Sequence, residues 1–218
     1  LMLGAARRIT EVERRVRSGE WTGWRLKQWL GIDVHHATLG IVGMGRIGQA
    51  IARRAAGFDM KVIYHNRKPI APELERRCNA AYVSFDELLA QSDFIVLQVP
   101  YSPATHHLIA AAQLAKMKPS AILINSTRGG VVDDAALVAA LKNGTLRGAG
   151  LDVYENEPKL HPEFLKLDNV VLAPHIGSST EATRQAMAML AAQNLVAALR
   201  GEAPPNLVNR EMRPEPRP

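Results

Sequence analysis

Short apolar runs alternate with helix-forming stretches along most of the chain. Leu39, Ile41 and Val42 form one run. Others follow at Lys61-Val-Ile-Tyr64, Asp93-Phe-Ile-Val-Leu-Gln-Val99, Ala121-Ile-Leu-Ile124, Gly148-Ala-Gly-Leu-Asp-Val153 and Asn169-Val-Val-Leu172. Each has strand length, and several are apolar at successive positions, as strands covered on both faces should be. Helical patterns lie between most of them. Asp133 is placed to cap a helix that carries Leu137, Val138 and Leu141 and stops at Gly144. A last helix, about Ser179 to Arg200, has Met187, Leu190, Ala191, Leu195, Ala198 and Leu199 on one stripe. Alternation of this kind predicts an α/β fold built on a doubly wound parallel sheet with helices on both faces.

The N-terminal stretch is helical in pattern from its first residues. Ala5, Ile9, Val12 and Val16 fall on one face, and Glu11 with Arg15 and Glu13 with Arg17 are expected to pair at i,i+4 on the exposed sides. The chain opens at Leu1 and reads as cut at its N-terminus. The tail after Gly201, rich in proline and charge, is expected to fray. No internal repeat is visible.

Composition narrows the class. The 218 residues are 47% hydrophobic and 22% charged, ordinary values for a globular protein with a sizeable core. The longest apolar runs are about strand length, so no membrane span is expected, and no signal-peptide pattern opens the chain. One cysteine, Cys78, cannot form an internal disulfide, which fits a reducing cytoplasm. The net charge of +6 raises nucleic acid as a partner. The acids interleaved through the arginine-rich first helix argue against that and favour a basic pocket for phosphates and carboxylates. The pairs His35-His36 and His106-His107 lack metal-ligand spacing, and no metal is predicted.

The first apolar run leads into Gly43-Met-Gly-Arg-Ile-Gly48 and then into Gln49-Ala-Ile-Ala-Arg-Arg54. A strand, a glycine turn and a helix are the context of a dinucleotide-binding fingerprint, which makes the expected sheet Rossmann-type. Gly43 permits the tight turn, Gly45 lets a pyrophosphate approach the backbone, and Gly48 lets the helix pack on the sheet. The phosphates would meet free N–H groups at the helix N-terminus. Asn66 ends the second strand, where an NAD enzyme commonly has an acid for the ribose 2′-hydroxyl. A neutral residue followed by Arg67 and Lys68 suits a 2′-phosphate, so NADP(H) is expected over NAD(H); the alternative is a pair of exposed loop cations.

Ligands of such sheets bind beyond the carboxyl ends of the strands. The segments there include Pro100-Tyr-Ser-Pro-Ala-Thr105, Asn125-Ser-Thr-Arg-Gly129, Tyr154-Glu-Asn-Glu-Pro158 and Pro174-His-Ile-Gly177. An arginine, a glutamate and a histidine therefore share one edge with the cofactor turn. For hydride chemistry on an oxo-acid, the histidine can protonate the carbonyl oxygen, a carboxylate can favour its charged form, and the arginine fork can bind the substrate carboxylate. Taken singly, the arginine and glutamate read as surface residues and the histidine as structural.

Five segments carry a wider resemblance: Gly40-Ile-Val-Gly-Met-Gly-Arg-Ile-Gly48, Ser92-Asp-Phe-Ile-Val96 with Pro100, Ile124-Asn-Ser-Thr-Arg-Gly-Gly-Val-Val-Asp133, Gly150-Leu-Asp-Val-Tyr-Glu-Asn-Glu-Pro158 and Pro174-His-Ile-Gly-Ser178. In that order they resemble the D-isomer-specific 2-hydroxyacid dehydrogenases. Gly31-Ile-Asp-Val-His-His36 is similar to the bacterial branch that reduces glyoxylate, hydroxypyruvate and 2-ketogluconate. The resemblance implies Arg128 as the substrate-binding arginine, His175 as general acid/base, and Glu157 rather than Glu155 as its partner. Formate dehydrogenases of the superfamily have glutamine in that place, so a glutamate favours hydroxyacid chemistry. It implies a cofactor site of Gly43, Gly45, Arg46, Ile47, Gly48, Asn66, Arg67, Lys68, Val99, Pro100, Thr105, Thr127, Arg128, Asp152, His175 and Gly177, with Asp152 near the nicotinamide carboxamide.

Domain organisation follows from the same resemblance. Residues 1–178 would be the NAD(P)-binding domain, with 1–30 a helical arm contacting a second subunit of a homodimer. Residues 179–218 would be a helix and tail of the substrate domain, whose N-terminal part is missing. Trp21 and Trp24 suit an interface, with local core packing the alternative, and Trp21 is the candidate to reach a partner's site. The chain alone is expected to bind cofactor but to turn over little substrate. The other function classes are a dehydrogenase for a different acid, such as phosphoglycerate or lactate, and a non-catalytic binding module like the co-repressors that share this fold.

Overall fold

The structure, a computed structural model, describes residues 1–209. They form two compact units, Leu1–His175 and a second beginning at Ile176. In the first unit seven strands make one sheet: β1 (Thr38–Val42), β2 (Lys61–His65), β3 (Ala80–Tyr82), β4 (Phe94–Leu97), β5 (Ile122–Asn125), β6 (Gly148–Leu151) and β7 (Val170–Leu172). Their order is β3-β2-β1-β4-β5-β6-β7, and every pairing is parallel. The order reverses between β1 and β4, so a crevice opens beyond the carboxyl ends of these two strands.

The helices of this unit are α1 (Met2–Ala6), α2 (Ile9–Arg17), α3 (Arg46–Ala55), α4 (Pro72–Cys78), α5 (Phe85–Gln91), α6 (Ala111–Leu114) and α7 (Asp134–Asn143). The period of two along the strands sorts the core into two layers. Leu39, Ile41, Val62, Tyr64, Phe94, Val96, Ile122 and Ile124 pack with Ala6 of α1, Ala52 and Ala55 of α3 and Cys78 of α4. The intervening Val42, Ile63, Ile95, Leu97 and Leu123 pack with Leu88 and Leu89 of α5, Leu114 of α6 and Leu137, Val138 and Leu141 of α7. Helices therefore cover both faces, as the apolar runs predict. Each fully buried leucine, isoleucine or phenylalanine contributes about 1.5–3 kcal/mol.

Helix ends follow local chemistry. Asp133 caps α7 by accepting from the Ala136 N–H at 2.9 Å, and the helix ends at Gly144 in a left-handed conformation. Ser84 and Glu87 close a reciprocal capping box on α5.

Two expectations need correction. The N-terminal helix is not continuous. Arg8 adopts φ 55° and separates α1 from α2. That break turns the Arg8 guanidinium onto Glu11, at 2.6 and 2.8 Å, and Glu11 is buried. Arg15, expected to pair with Glu11, instead engages Glu20 and lies 3.7 Å from Asp168; the Glu13–Arg17 pair forms. Ile9, Val12 and Val16 share a face, lining one surface groove with Trp21, and Ile9 and Val16 are about half exposed. The strand β3 has no signal in the sequence. Three residues at an exposed sheet edge leave no alternation to see.

In the second unit, α8 (Glu181–Leu199) is capped by Thr180, whose hydroxyl accepts from the Thr183 N–H at 3.2 Å. Asn206 N–H donates to the Asn194 side chain at 2.9 Å and draws the following segment back onto the helix. Met187, Leu190, Leu195 and Leu199 of the expected stripe are exposed. The part of the expected frayed tail beyond residue 209 lies outside the described residues.

Candidate active site

The glycine turn joins β1 to α3, and its three glycines do different things. Gly43 has φ 103°, and a Cβ there would lie 2.4 Å from the Gln98 carbonyl oxygen. A Cβ on Gly48 would lie 2.4 Å from the Gly43 carbonyl oxygen, so α3 packs directly on the turn. At Gly45 nothing lies within 4 Å of the Cβ position. Gly45 is the N-cap of α3 and offers no side chain to its first N–H groups. Open space beside uncapped N–H groups at a helix start is what a pyrophosphate requires.

Asn66 follows β2. Its side-chain oxygen accepts from the Met44 N–H at 2.7 Å and ties the strand end to the glycine turn. Arg67 and Lys68 are exposed beyond it, and Arg46 is exposed at the start of α3. Beyond β4, the Thr105 hydroxyl donates to the Pro100 carbonyl at 2.7 Å and accepts from the Ser102 N–H at 2.8 Å, so it shapes the turn that carries Val99 and Pro100.

An open cleft of about 1220 Å³ lies along this edge. Ile47, Val99, Pro100, Thr127, Arg128 and Glu157 all line it, with Tyr101, His106, Gly130 and Glu155. Thr127 is buried, with its hydroxyl and N–H both on the Asn125 side chain at 2.7 and 3.1 Å. Asn125 also donates to the Arg128 carbonyl at 3.2 Å, so the end of β5 sets the arginine's backbone. Asp152 is buried just past β6. Gly177 falls in the second unit.

Glu157 and His175 meet: Nδ1 of the ring lies 2.8 Å from Oε2 of the carboxylate. The other oxygen accepts from the Tyr154 N–H at 3.0 Å. Burial pushes the Glu157 carboxyl up, but the His175 and Tyr154 hydrogen bonds and the charges of His175 and Arg128 together hold it below the usual carboxylate range. His175 has φ 56°, a left-handed conformation that costs a non-glycine residue roughly 1–3 kcal/mol. The Glu157 bond is one of the contacts that fix it.

Glu155, the rival carboxylate in the same segment, goes elsewhere. Its Oε1 lies 2.5 Å from Nε2 of His107. Sequence reasoning missed this pair, because the two residues sit on different loops. It also passed over Gly129, where a Cβ would lie 1.8 Å from the Tyr154 carbonyl oxygen. The segment Ile124–Asp133 contains adjacent glycines, a signal that two backbones meet there. Trp21 and Trp24 are 55% and 80% exposed, so neither packs into a local core. Among the described residues, no group of three or more histidine, cysteine or acidic side chains could hold a metal ion.

A parallel sheet with its order reversed at a glycine turn defines a Rossmann-type dinucleotide-binding domain, and a histidine–carboxylate pair and an arginine lie on the same edge. Residues 1–177 match the family D-isomer specific 2-hydroxyacid dehydrogenase, NAD binding domain, and the chain belongs to that family. It is 54% identical over 216 residues to a glyoxylate reductase of Thermococcus onnurineus, covering 97% of this chain and 64% of that protein. It is 56% identical over 211 residues to a glyoxylate/hydroxypyruvate reductase B of Erwinia tasmaniensis, covering 96% and 65%. Among solved structures, a glyoxylate reductase from Paecilomyes thermophila aligns with TM-score 0.85 at 46% identity, over 93% of this chain and 60% of that one. The holo form of D-mandelate dehydrogenase from Rhodotorula graminis aligns with TM-score 0.89 at 33% identity, over 99% and 64%. The chain thus spans a little under two thirds of the length of these relatives.

Proposed function

We propose that this chain is the cofactor-binding portion of a reductase that converts a small 2-oxo acid to the D-2-hydroxy acid with NADPH. Glyoxylate and hydroxypyruvate are the first substrates to expect, and 2-ketogluconate the third. The observation that carries the reading is the Glu157–His175 pair beside the cleft that Arg128 lines. The names of the relatives support the substrate class.

The residues fit a bound dinucleotide: the space at Gly45 and the first turn of α3 would hold the pyrophosphate, and Arg67 and Lys68 would meet a 2′-phosphate. The cofactor supplies the hydride. Arg128 binds the substrate carboxylate with its guanidinium fork and polarises the carbonyl. His175 protonates the carbonyl oxygen. With Nδ1 held by Glu157, Nε2 is the ring nitrogen that delivers the proton. Glu157, held below the usual carboxylate range, stays ionised and orients the ring through Nδ1. The mobile charge is thus confined to one ring with a fixed orientation.

The second unit is assigned to the substrate domain, and the protein to the cytoplasm as a homodimer. Exposed Ile9, Val16, Trp21, Trp24, Leu26 and Leu30 support an interface on the N-terminal segment; no described helix is long and apolar enough to cross a membrane. The deciding experiment is a substrate panel on the full-length protein with NADPH and NADH: glyoxylate, hydroxypyruvate, 2-ketogluconate, pyruvate, phenylglyoxylate and phosphohydroxypyruvate. Reduction of the first three is expected. Preference for one of the last three would move the protein to a different acid, and binding without turnover of any would make it a non-catalytic module.

A further inference from the structure

A second histidine–carboxylate pair lies at the cleft, apart from the Glu157–His175 pair: Glu155 lines the wall, and His107 follows His106, which also lines it. His107 Nε2 is 2.5 Å from Glu155 Oε1, and both side chains are about 30% exposed. His107 Nδ1 faces Asp133, at 4.0 Å. The ring stacks on His106, with centroids 3.9 Å apart, and His106 Nδ1 lies 3.2 Å from the Tyr101 hydroxyl. Nε2 is thus held by one carboxylate, and Nδ1 lies near a second without a hydrogen bond to it.

Its position suits a different task. Three loops build the site: 100–109, which carries Val99's neighbour Pro100; 126–133, which carries Arg128; and 152–157, which carries Glu157. His107 joins them. Its N–H donates to the Gly130 carbonyl at 2.8 Å, and one turn on, Ile109 and the 131–133 segment exchange hydrogen bonds of 3.1 and 2.9 Å. Its ring holds Glu155 of the third loop. Glu155 is fixed a second time, through its N–H to the buried Asp134 carboxylate at 3.1 Å. His107 adopts φ 48°, a conformation uncommon for a residue with a side chain, and it keeps that conformation while its ring is bound to Glu155. The backbone of the second and third loops touches at Gly129 and Tyr154, where no Cβ would fit. From Glu155 the path to the chemistry is two residues long: Tyr154 N–H to Glu157, and Glu157 to His175.

We propose that His107 and Glu155 are positioning residues that set the Glu157–His175 pair against Arg128 by clamping the 152–157 loop to the 126–133 loop. The inference rests on the reductase reading for its kinetic consequence, but not for its geometric one. Neither residue touches the reacting atoms. Loosening the clamp displaces Glu157 and Arg128 relative to each other, and misplacement of about an ångström can cost up to a hundred-fold in rate. The glycine turn and the Asn66–Lys68 loop lie outside the clamped loops, so the contacts proposed for the pyrophosphate and the 2′-phosphate are left intact.

The test uses the full-length protein and five forms: the parent, His107→Ala, Glu155→Ala, Glu155→Gln and the double alanine variant. The expected result is a kcat for glyoxylate lowered on the order of ten-fold in each single alanine variant, with the NADPH dissociation constant within two-fold of the parent. The double variant should be no slower than the worse single one, because either change opens the same clamp. Glu155→Gln keeps the acceptor and the shape, folds as the parent does, and should recover most of the rate. A second readout needs no turnover. The hydrogen-bonded Nδ1 proton of His175, followed by NMR, should broaden or vanish in Glu155→Ala and persist in Glu155→Gln. Unchanged kcat and an unchanged His175 signal in both alanine variants would overturn the proposal, as would multiplicative losses in the double variant. If the parent reduces no 2-oxo acid, the reductase reading fails, and the His175 signal alone still decides whether the clamp positions the pair.

Discussion

The Asn66 side-chain oxygen accepts the Met44 N–H at 2.7 Å, so the end of the second strand and the glycine turn are one rigid piece. Met44 is buried, and its N–H would be left unsatisfied without this bond, at a cost of about 1–3 kcal/mol. The residue that stands where NAD enzymes have an acid is thus also a structural strut.

That double role shapes the test of cofactor preference. Asn66→Asp keeps the acceptor and adds a negative charge, so the fold should hold while NADPH binding weakens. Arg67→Ala should weaken NADPH by roughly ten- to a hundred-fold, the value of a charge-assisted contact, and leave NADH nearly unchanged. Titration of both cofactors into the three proteins decides it. Equal affinities for NADPH and NADH in the parent would end the argument for a 2′-phosphate site.

The glycines of the turn should separate binding from stability. Gly45→Ala places a methyl in open space, so unfolding free energy should change by less than about 0.5 kcal/mol, while dinucleotide affinity drops because the pyrophosphate loses its approach. Gly43→Ala forces a side chain into φ 103° and against the Gln98 backbone, and should cost about 1–3 kcal/mol or more. Urea unfolding and cofactor titration on each variant measure the two effects; equal stability losses would show that the turn is not built as described.

Glu157→Gln keeps an acceptor for His175 but removes the charge. In the parent the rate should fall at acid pH, below the usual carboxylate range, as Glu157 takes a proton and the pair loses its charge; the variant should be slower throughout and lack that limb in the full-length enzyme. The pH–rate profile of kcat/KM is the measurement. A profile that coincides with the parent's would mean that the carboxylate does not act on the proton donor.

Asp134 gives a stability prediction with a defined sign. Burial, with the charges of Glu155 and Asp133, raises its carboxyl from 3.8 to about 6, against the Glu155 N–H bond and the charge of His161. Between about pH 4 and pH 6 the folded chain keeps a proton that the unfolded chain has released, so stability falls as pH rises through this window. The loss should be roughly 1–3 kcal/mol. Asp134→Asn removes the titration. The difference in unfolding free energy between parent and variant should therefore shift in favour of the variant from pH 4 to pH 7, and parallel curves would contradict the raised carboxyl.

The sequence by itself determined the parallel sheet, because strands buried on both faces must be apolar at successive positions, and Ile95, Val96 and Leu97 are. It determined the glycine turn and the edge on which Arg128, Glu157 and His175 emerge, because ligand-facing residues follow directly from strand ends. It marked the ends of α7, because Asp133 and Gly144 act within one helical turn. Tertiary structure decided what depends on two distant backbones. Glu155 and Glu157 are chemically alike in the sequence; one meets His107 and the other His175 only once three loops have been brought together. Gly129 is read as necessary only where the Tyr154 carbonyl arrives against it. Arg8 breaks the first helix and takes Glu11 from Arg15, which no spacing rule foretells. The pattern of a chain records its short-range periods, and contacts between loops have no period to record.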